Sequence, residues 1–238
     1  MNKLKTTLFA ACSLVLVTIG TSVKADSSNF AGPYIGFSAS GYGMQLAGSA
    51  RTSPTGGTFE DDEVSLGQVA PITGFGAGYA IPLGSAFLID IGASMFQGAA
   101  KLEYHHDQNA PSGNVENPVT TTGGTKDVSF IIDDLVNYYI APTLVLSDTS
   151  SLYLKVGLTE ADVNVSGDIT SPGNLSGKTW ALGTRTVLSS GIFIKTEAGF
   201  TDYNKISALG MGNNIDTGNA YSAEPTVAFG TVALGFRF

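Results

Sequence analysis

The chain has 238 residues, with 12 Lys+Arg against 20 Asp+Glu and a formal net charge of −8. So acidic a chain lacks the basic face that displaces counterions, which excludes a nucleic-acid binder. Charged residues make up 13% of the chain, against roughly 25% in ordinary soluble domains, and hydrophobic ones 43%, which excludes disorder as well.

Lys3 and Lys5 precede an apolar run from Leu8 to Ile19, and Val23 and Ala25 are small residues placed for cleavage after Ala25. This pattern predicts a signal peptide over residues 1–25 and a mature domain over 26–238. The run is shorter than the ~20 residues a membrane-spanning helix needs, and no later stretch qualifies. Too little apolar sequence precedes Cys12 for a lipoprotein signal. As the only cysteine, Cys12 leaves with the leader, so a disulfide framework and a cysteine-ligated metal are both excluded.

From Phe30 onward the apolar residues recur every second position, the strand period. The pattern predicts a first strand near Tyr34–Gly43. In the next, Phe75, Ala77, Tyr79 and Ile81 oppose Gly74, Gly76, Gly78 and Ala80. Phe87, Ile89, Ile91 and Ala93 then oppose Leu88, Asp90, Gly92 and Ser94. A less regular strand falls near Phe130–Leu146. Leu152, Leu154, Val156 and Leu158 alternate with Tyr153, Lys155 and Gly157; Trp180 and Leu182 alternate with Ala181, Gly183 and Arg185. Ile192, Ile194, Thr196 and Ala198 oppose Phe193, Lys195, Glu197 and Gly199. The last strand sets Val232, Leu234, Phe236 and Phe238 against Thr231, Ala233, Gly235 and Arg237.

These make about eight strands, and their connections alternate in length. Short ones are expected at Pro82–Ser85, Ser147–Ser150 and Ser189–Gly191, long polar ones near Gln45–Gly67, Tyr104–Lys126, Ser166–Gly177 and Asn204–Ser222. An up-and-down barrel in an outer membrane has this alternation. The fold expected is therefore all-β: a closed antiparallel up-and-down transmembrane β-barrel. In lipid every backbone N–H and C=O must be paired internally, so a spanning sheet closes on itself.

The two faces agree. One carries Ile, Leu, Val, Phe and Trp; the other carries Gly and Ala with isolated charges, Asp90, Lys155, Arg185, Lys195, Glu197 and Arg237. An eight-stranded barrel has just enough interior for side chains to fill it. Those six residues are read as a lumen charge network. Trp180, Tyr34, Tyr138, Tyr139, Tyr153 and the terminal phenylalanines suit either aromatic girdles or the lumen.

The terminal Phe238, with Phe236 and Leu234 on its face, resembles the C-terminal signature of Gram-negative outer-membrane barrels. Together with the leader and the opening Gly32-Pro33-Tyr34-Ile35-Gly36, the chain resembles the small eight-stranded OmpA-type or opacity-type surface proteins. The resemblance implies insertion into the outer membrane by the barrel-assembly machinery, which reads Leu234, Phe236 and Phe238. It also implies contact with outer-membrane lipid and lipopolysaccharide. It leaves the activity open, since fold does not fix function.

Chemistry-bearing constellations are sparse. His105 and His106 are the only histidines, with Asp107 and Ser112 nearby, and adjacent residues on a strand face opposite ways. Glu60-Asp61-Asp62-Glu63 is the densest acidic run, expected at a loop tip; it lacks the spaced pattern of a calcium loop. Asp133-Asp134 interrupts an apolar strand and is expected at the membrane rim or at a bulge. Gly74–Gly78 is not followed by a helix pattern, so it is not a phosphate loop.

The reading is a non-enzymatic outer-membrane barrel, without metal or cofactor, whose loops serve membrane integrity or bind a surface or host ligand. The alternatives are a narrow porin-like channel, a rim enzyme around the histidines, and a soluble secreted all-β binding module.

Overall fold

A computed structural model describes residues 26–52, 60–98, 100–106, 126–167, 169–189, 191–211 and 220–238. The expected leader, Asp107 and Ser112 lie outside these residues. A short 3₁₀ turn at Ser27–Asn29 leads into strands β1 (Gly32–Thr52), β2 (Glu60–Pro82), β3 (Phe87–Gln97), β4 (Ala100–His106) and β5 (Lys126–Val145). They are followed by β6 (Ser150–Ser166), β7 (Leu175–Ser189), β8 (Ile192–Tyr203), β9 (Ile206–Leu209) and β10 (Ala220–Arg237). The strand pairings are antiparallel.

Two staves are interrupted. β3 and β4 both pair with β5, separated at Gly98, which takes a φ of +132°. β8 and β9 both pair with β10. The ten segments thus form eight staves, and β1 pairs with β10 from Tyr34↔Arg237 to Arg51↔Ala220, closing the sheet. In the turn half every strand is thereby paired on both sides, as a sheet in lipid requires. Among the described residues no helix is long and apolar enough to cross a membrane.

The short connections between β2 and β3, β5 and β6, and β7 and β8 share one end of the barrel, the turn end. The long ones share the other, the loop end. There the strands run deeper than their polarity suggested. Gln45–Thr52 and Glu60–Gly67, expected as a loop, pair residue for residue from Gln45↔Gly67 to Thr52↔Glu60. The acidic run Glu60–Glu63 therefore opens β2 and is paired with β1. His105 and His106 end β4, opposite Asp127 and Lys126.

β1 and β2 have 21 and 23 residues. A tilted strand crosses the hydrocarbon with about 9–11. Roughly half of the barrel therefore projects beyond a bilayer. The side chains divide at the same level. In the turn half the outward face is Ile35, Phe37, Phe75, Tyr79, Phe87, Ile91, Ile140, Leu182, Val232, Leu234, Phe236 and Phe238, all exposed. In the loop half the outward positions of β6, β7 and β10 become Glu160, Asp162, Asn164, Ser176, Lys178 and Glu224. The inward positions change the opposite way. On β6 the inward series runs Tyr153, Lys155, Gly157, Thr159, Ala161 and Val163. Beyond Thr159 it joins an apolar cluster of Met44, Leu46, Ile72, Phe96, Ile132, Leu135, Leu175, Tyr203, Ile206 and Val227 that fills the loop-half lumen.

Asp133 and Asp134 lie at a bulge in β5, where the register against β6 slips between Asp133 and Val136. Asp134 takes the left-handed φ of 48° that Asp tolerates better than most residues. Asn164 Nδ2 donates to Asp133 Oδ1 at 3.2 Å. The extra residue turns one acid outward without forcing the other into the core.

Candidate functional site

The turn-half lumen gathers the polar side chains. Strand parity points Asp90 (β3), Lys155 (β6), Arg185 (β7), and Lys195 and Glu197 (β8) inward, and the structure brings all five into one layer. Arg185 donates to Asp90 through a short ion pair, both side chains 3% exposed. Lys155 Nζ pairs with Glu197 Oε1 at 2.9 Å. Lys195 Nζ reaches Asp90 Oδ2 only at 3.4 Å. Isolated charges at this depth cost several kcal/mol each unless paired and hydrogen-bonded, so pairing is a condition of the fold.

Three tyrosines complete the layer. The Tyr34 hydroxyl donates to Asp90 and lies 2.7 Å from the Tyr139 hydroxyl. Tyr153 donates to Glu197 Oε2 at 3.1 Å. Their faces carry the cations: Arg185 lies 4.7 Å from the Tyr34 centroid, Lys155 4.6 Å from Tyr139 and Lys195 5.1 Å from Tyr153. Tyr138, by contrast, faces outward and is exposed.

Six lumen rings each lie directly across the ladder from a glycine whose Cβ they would meet. The pairs are Tyr34↔Gly78, Tyr139↔Gly92, Tyr153↔Gly183, Phe193↔Gly235, Phe96↔Gly74 and Tyr203↔Gly177. A Cβ at any of these glycines would run into its partner's ring. In a lumen this narrow a glycine opposite gives a large ring its room. These glycines are therefore ring sockets.

Above the ions lies a belt of hydroxyls. Asn137 Nδ2 donates to Thr159 Oγ1 at 2.9 Å, and the Thr179 and Thr201 hydroxyls lie 2.8 Å apart, continuing the belt across β7 and β8. Ser40 meets Thr231 at 2.8 Å on the far wall.

Below the ions the chain seals the turn end with its own N-terminal segment. Asp26 caps the 3₁₀ turn, accepting from Ser28 N at 2.9 Å, a bond that holds its carboxyl below the usual carboxylate range. Ser27 N donates to Ser85 O at 2.9 Å. Phe30, 1% exposed, enters the mouth between Leu88 and Val145. Arg237 belongs to this seal and stands apart from the ion layer. Its Nη1 donates to Ser28 O at 2.8 Å and Ala31 O at 3.0 Å. The sixth residue of the expected network is thus a strap for the N-terminal segment, because its position next to the last turn leaves it at the rim.

Leu234, Phe236 and Phe238 lie on the outward face of β10, with Leu234 opposite Phe37 and Phe236 opposite Ile35 on β1. Among the described residues no three His, Cys, Asp or Glu side chains converge as a metal would require.

A closed eight-stave antiparallel barrel with an apolar outer belt and an ionic lumen is the architecture of the small outer-membrane β-barrels. No protein-family model matches the chain, and no curated protein matches it in sequence. Solved structures match in shape. The outer membrane protein OprG of Pseudomonas aeruginosa aligns over 91% of this chain and 100% of its own, at 11% identity and a TM-score of 0.50. The outer membrane protease OmpT of Escherichia coli aligns over 87% and 97%, at 10% identity and 0.46. Ail, the attachment invasion locus protein of Yersinia pestis, aligns over 85% and 99%, at 12% identity and 0.38. At these identities the likeness is one of fold.

Proposed function

We propose that the chain is an integral outer-membrane protein of a Gram-negative envelope, exported with a cleaved leader over residues 1–25. It acts as a sealed, non-enzymatic scaffold. The barrel carries its loop end clear of the bilayer, and the loop-end surface meets a surface or host partner. Outer-membrane lipid and lipopolysaccharide surround the belt, and Leu234, Phe236 and Phe238 serve as the strand read by the barrel-assembly machinery.

The observation that carries this reading is the inversion of sidedness along single strands. A soluble barrel has no use for an exposed belt of Phe, Ile and Leu, and a barrel ending at the bilayer has no use for a second, apolar lumen. The Phe30 seal and the paired ions argue against the narrow channel, so folded protein in planar bilayers is expected to be electrically silent.

Fractionation of cells, with gel mobility compared before and after boiling, tests the membrane part. A barrel recovered without detergent would end it. For the loop-end role, each long connection is deleted in turn and binding to lipopolysaccharide and to host-cell surfaces is scored. Unchanged binding in every correctly assembled deletion refutes it.

A further inference from the structure

The ion layer does not balance. Among the described residues it holds three cations, Lys155, Arg185 and Lys195, against two carboxylates, Asp90 and Glu197. Glu197 is taken by Lys155 and Tyr153, and Asp90 by Arg185 and Tyr34. Lys195 is left with marginal partners, Asp90 Oδ2 at 3.4 Å and the Tyr34 hydroxyl at 3.5 Å. Arg185 Nε, also buried, has no acceptor. The layer is short of one negative charge and of acceptors.

Beside it lies a cavity of about 60 Å³, lined by Lys155, Lys195 and Glu197, by Thr231 next to Glu197 on the adjoining strand, and by Ser38 and Ser94 on β1 and β3. One water needs about 10–15 Å³ of such space, so there is room for a small ion with part of its hydration shell. The cavity sits between the ion layer and the apolar layer headed by Phe96. Bulk counterions screen a charge buried at this depth much less than one at the surface.

We propose that this cavity is a binding site for a monovalent inorganic anion of halide size, held by the ammonium groups of Lys155 and Lys195 and by the hydroxyls that line it. The anion restores neutrality to the layer and gives Lys195 a closer acceptor than Asp90 or Tyr34. Because Phe30 seals one end and the apolar layer the other, it is taken up as the barrel folds. The inference rests on the lumen alone and stands apart from what the loop end contacts.

The test refolds the purified chain in detergent micelles at increasing bromide. Ionic strength is held constant with gluconate, which is too large for the cavity. The thermal unfolding midpoint is expected to rise with the logarithm of bromide concentration above its Kd, by roughly 5–10 °C at a hundredfold excess. Lys195→Met abolishes the rise. Glu197→Gln, which removes a competing carboxylate, moves the onset of the rise to lower bromide. Should Lys195→Met fail to fold, crystals grown in bromide decide: an anomalous peak between Lys155 and Lys195 supports the site. An empty cavity there, a midpoint indifferent to bromide, or a rise undiminished in Lys195→Met overturns it.

Discussion

The turn half and the loop half of this barrel are built from the same strands on opposite plans. Along β6 the outward series goes from Leu154, Val156 and Leu158 to Glu160, Asp162 and Asn164, while the inward series goes from Lys155 to Ala161 and Val163. Neither half is exceptional alone. One is built as a membrane barrel and the other as a water-soluble one, on strands such as β1, β2 and β6 that run through both. The backbone of those strands is indifferent to the change because the sheet supplies its hydrogen-bond partners. Only the side chains respond, since the favourable burial of apolar area in water has no counterpart where the surroundings are already apolar. The two halves also hold their interiors by different means: paired charges below, apolar volume filling above, with ring sockets in both.

Substitutions can break or sharpen that contrast, and equilibrium urea unfolding in phospholipid vesicles, followed through the single tryptophan Trp180, reads them all. The largest effect is expected in the ion layer. Asp90→Ala strands Arg185 and Lys195 together and should cost about 3–5 kcal/mol, the range for removing one partner of a buried pair. Ile132→Ala, in the apolar layer, should cost about 2–5 kcal/mol by leaving a cavity. A cost for Ile132→Ala that varied strongly with salt would contradict volume filling. On the outside, Leu234→Arg lies at the middle of the belt segment of β10 and should cost about 2–4 kcal/mol. Glu224→Arg, ten residues earlier on the same outward face, should stay within about 0.5 kcal/mol. Equal costs for these two would mean that one solvent surrounds the whole barrel. The smallest expected effect tests the ring sockets. Gly183→Ala meets the Tyr153 ring and should cost about 1–3 kcal/mol, whereas Gly41→Ala meets nothing within 4 Å and should be nearly silent.

The turn half was legible in the sequence because its two faces differ so sharply. A face of Ile, Leu and Phe alternating with Gly and single charges fits one period only, and its parity assigned Asp90, Lys155, Arg185, Lys195 and Glu197 to a common interior. The loop half was not legible as strand. There Gln45, Ala47 and Ser49 face out and Met44 and Leu46 face in, but the average polarity of the stretch reads as loop. Averaging discards the alternation, and the acidic start of β2 was misread for the same reason. The tyrosines were ambiguous because a ring with a hydroxyl suits both a membrane interface and a lumen. Register decides between them: Tyr139 faces Gly92 inward, and Tyr138, one residue earlier, cannot. The seal had almost no signal, since a lone Phe30 in a polar stretch looks the same before and after it finds Leu88 and Val145.

The strap formed by residues 26–31 is tied to many parts of the chain at once: to Gly84 and Ser85, to Asp148, to Arg185 and to Arg237. Those anchors span the order of synthesis from early to last. Only in the closed barrel do these anchors stand together around the strap, so a fully seated strap marks a completed circle.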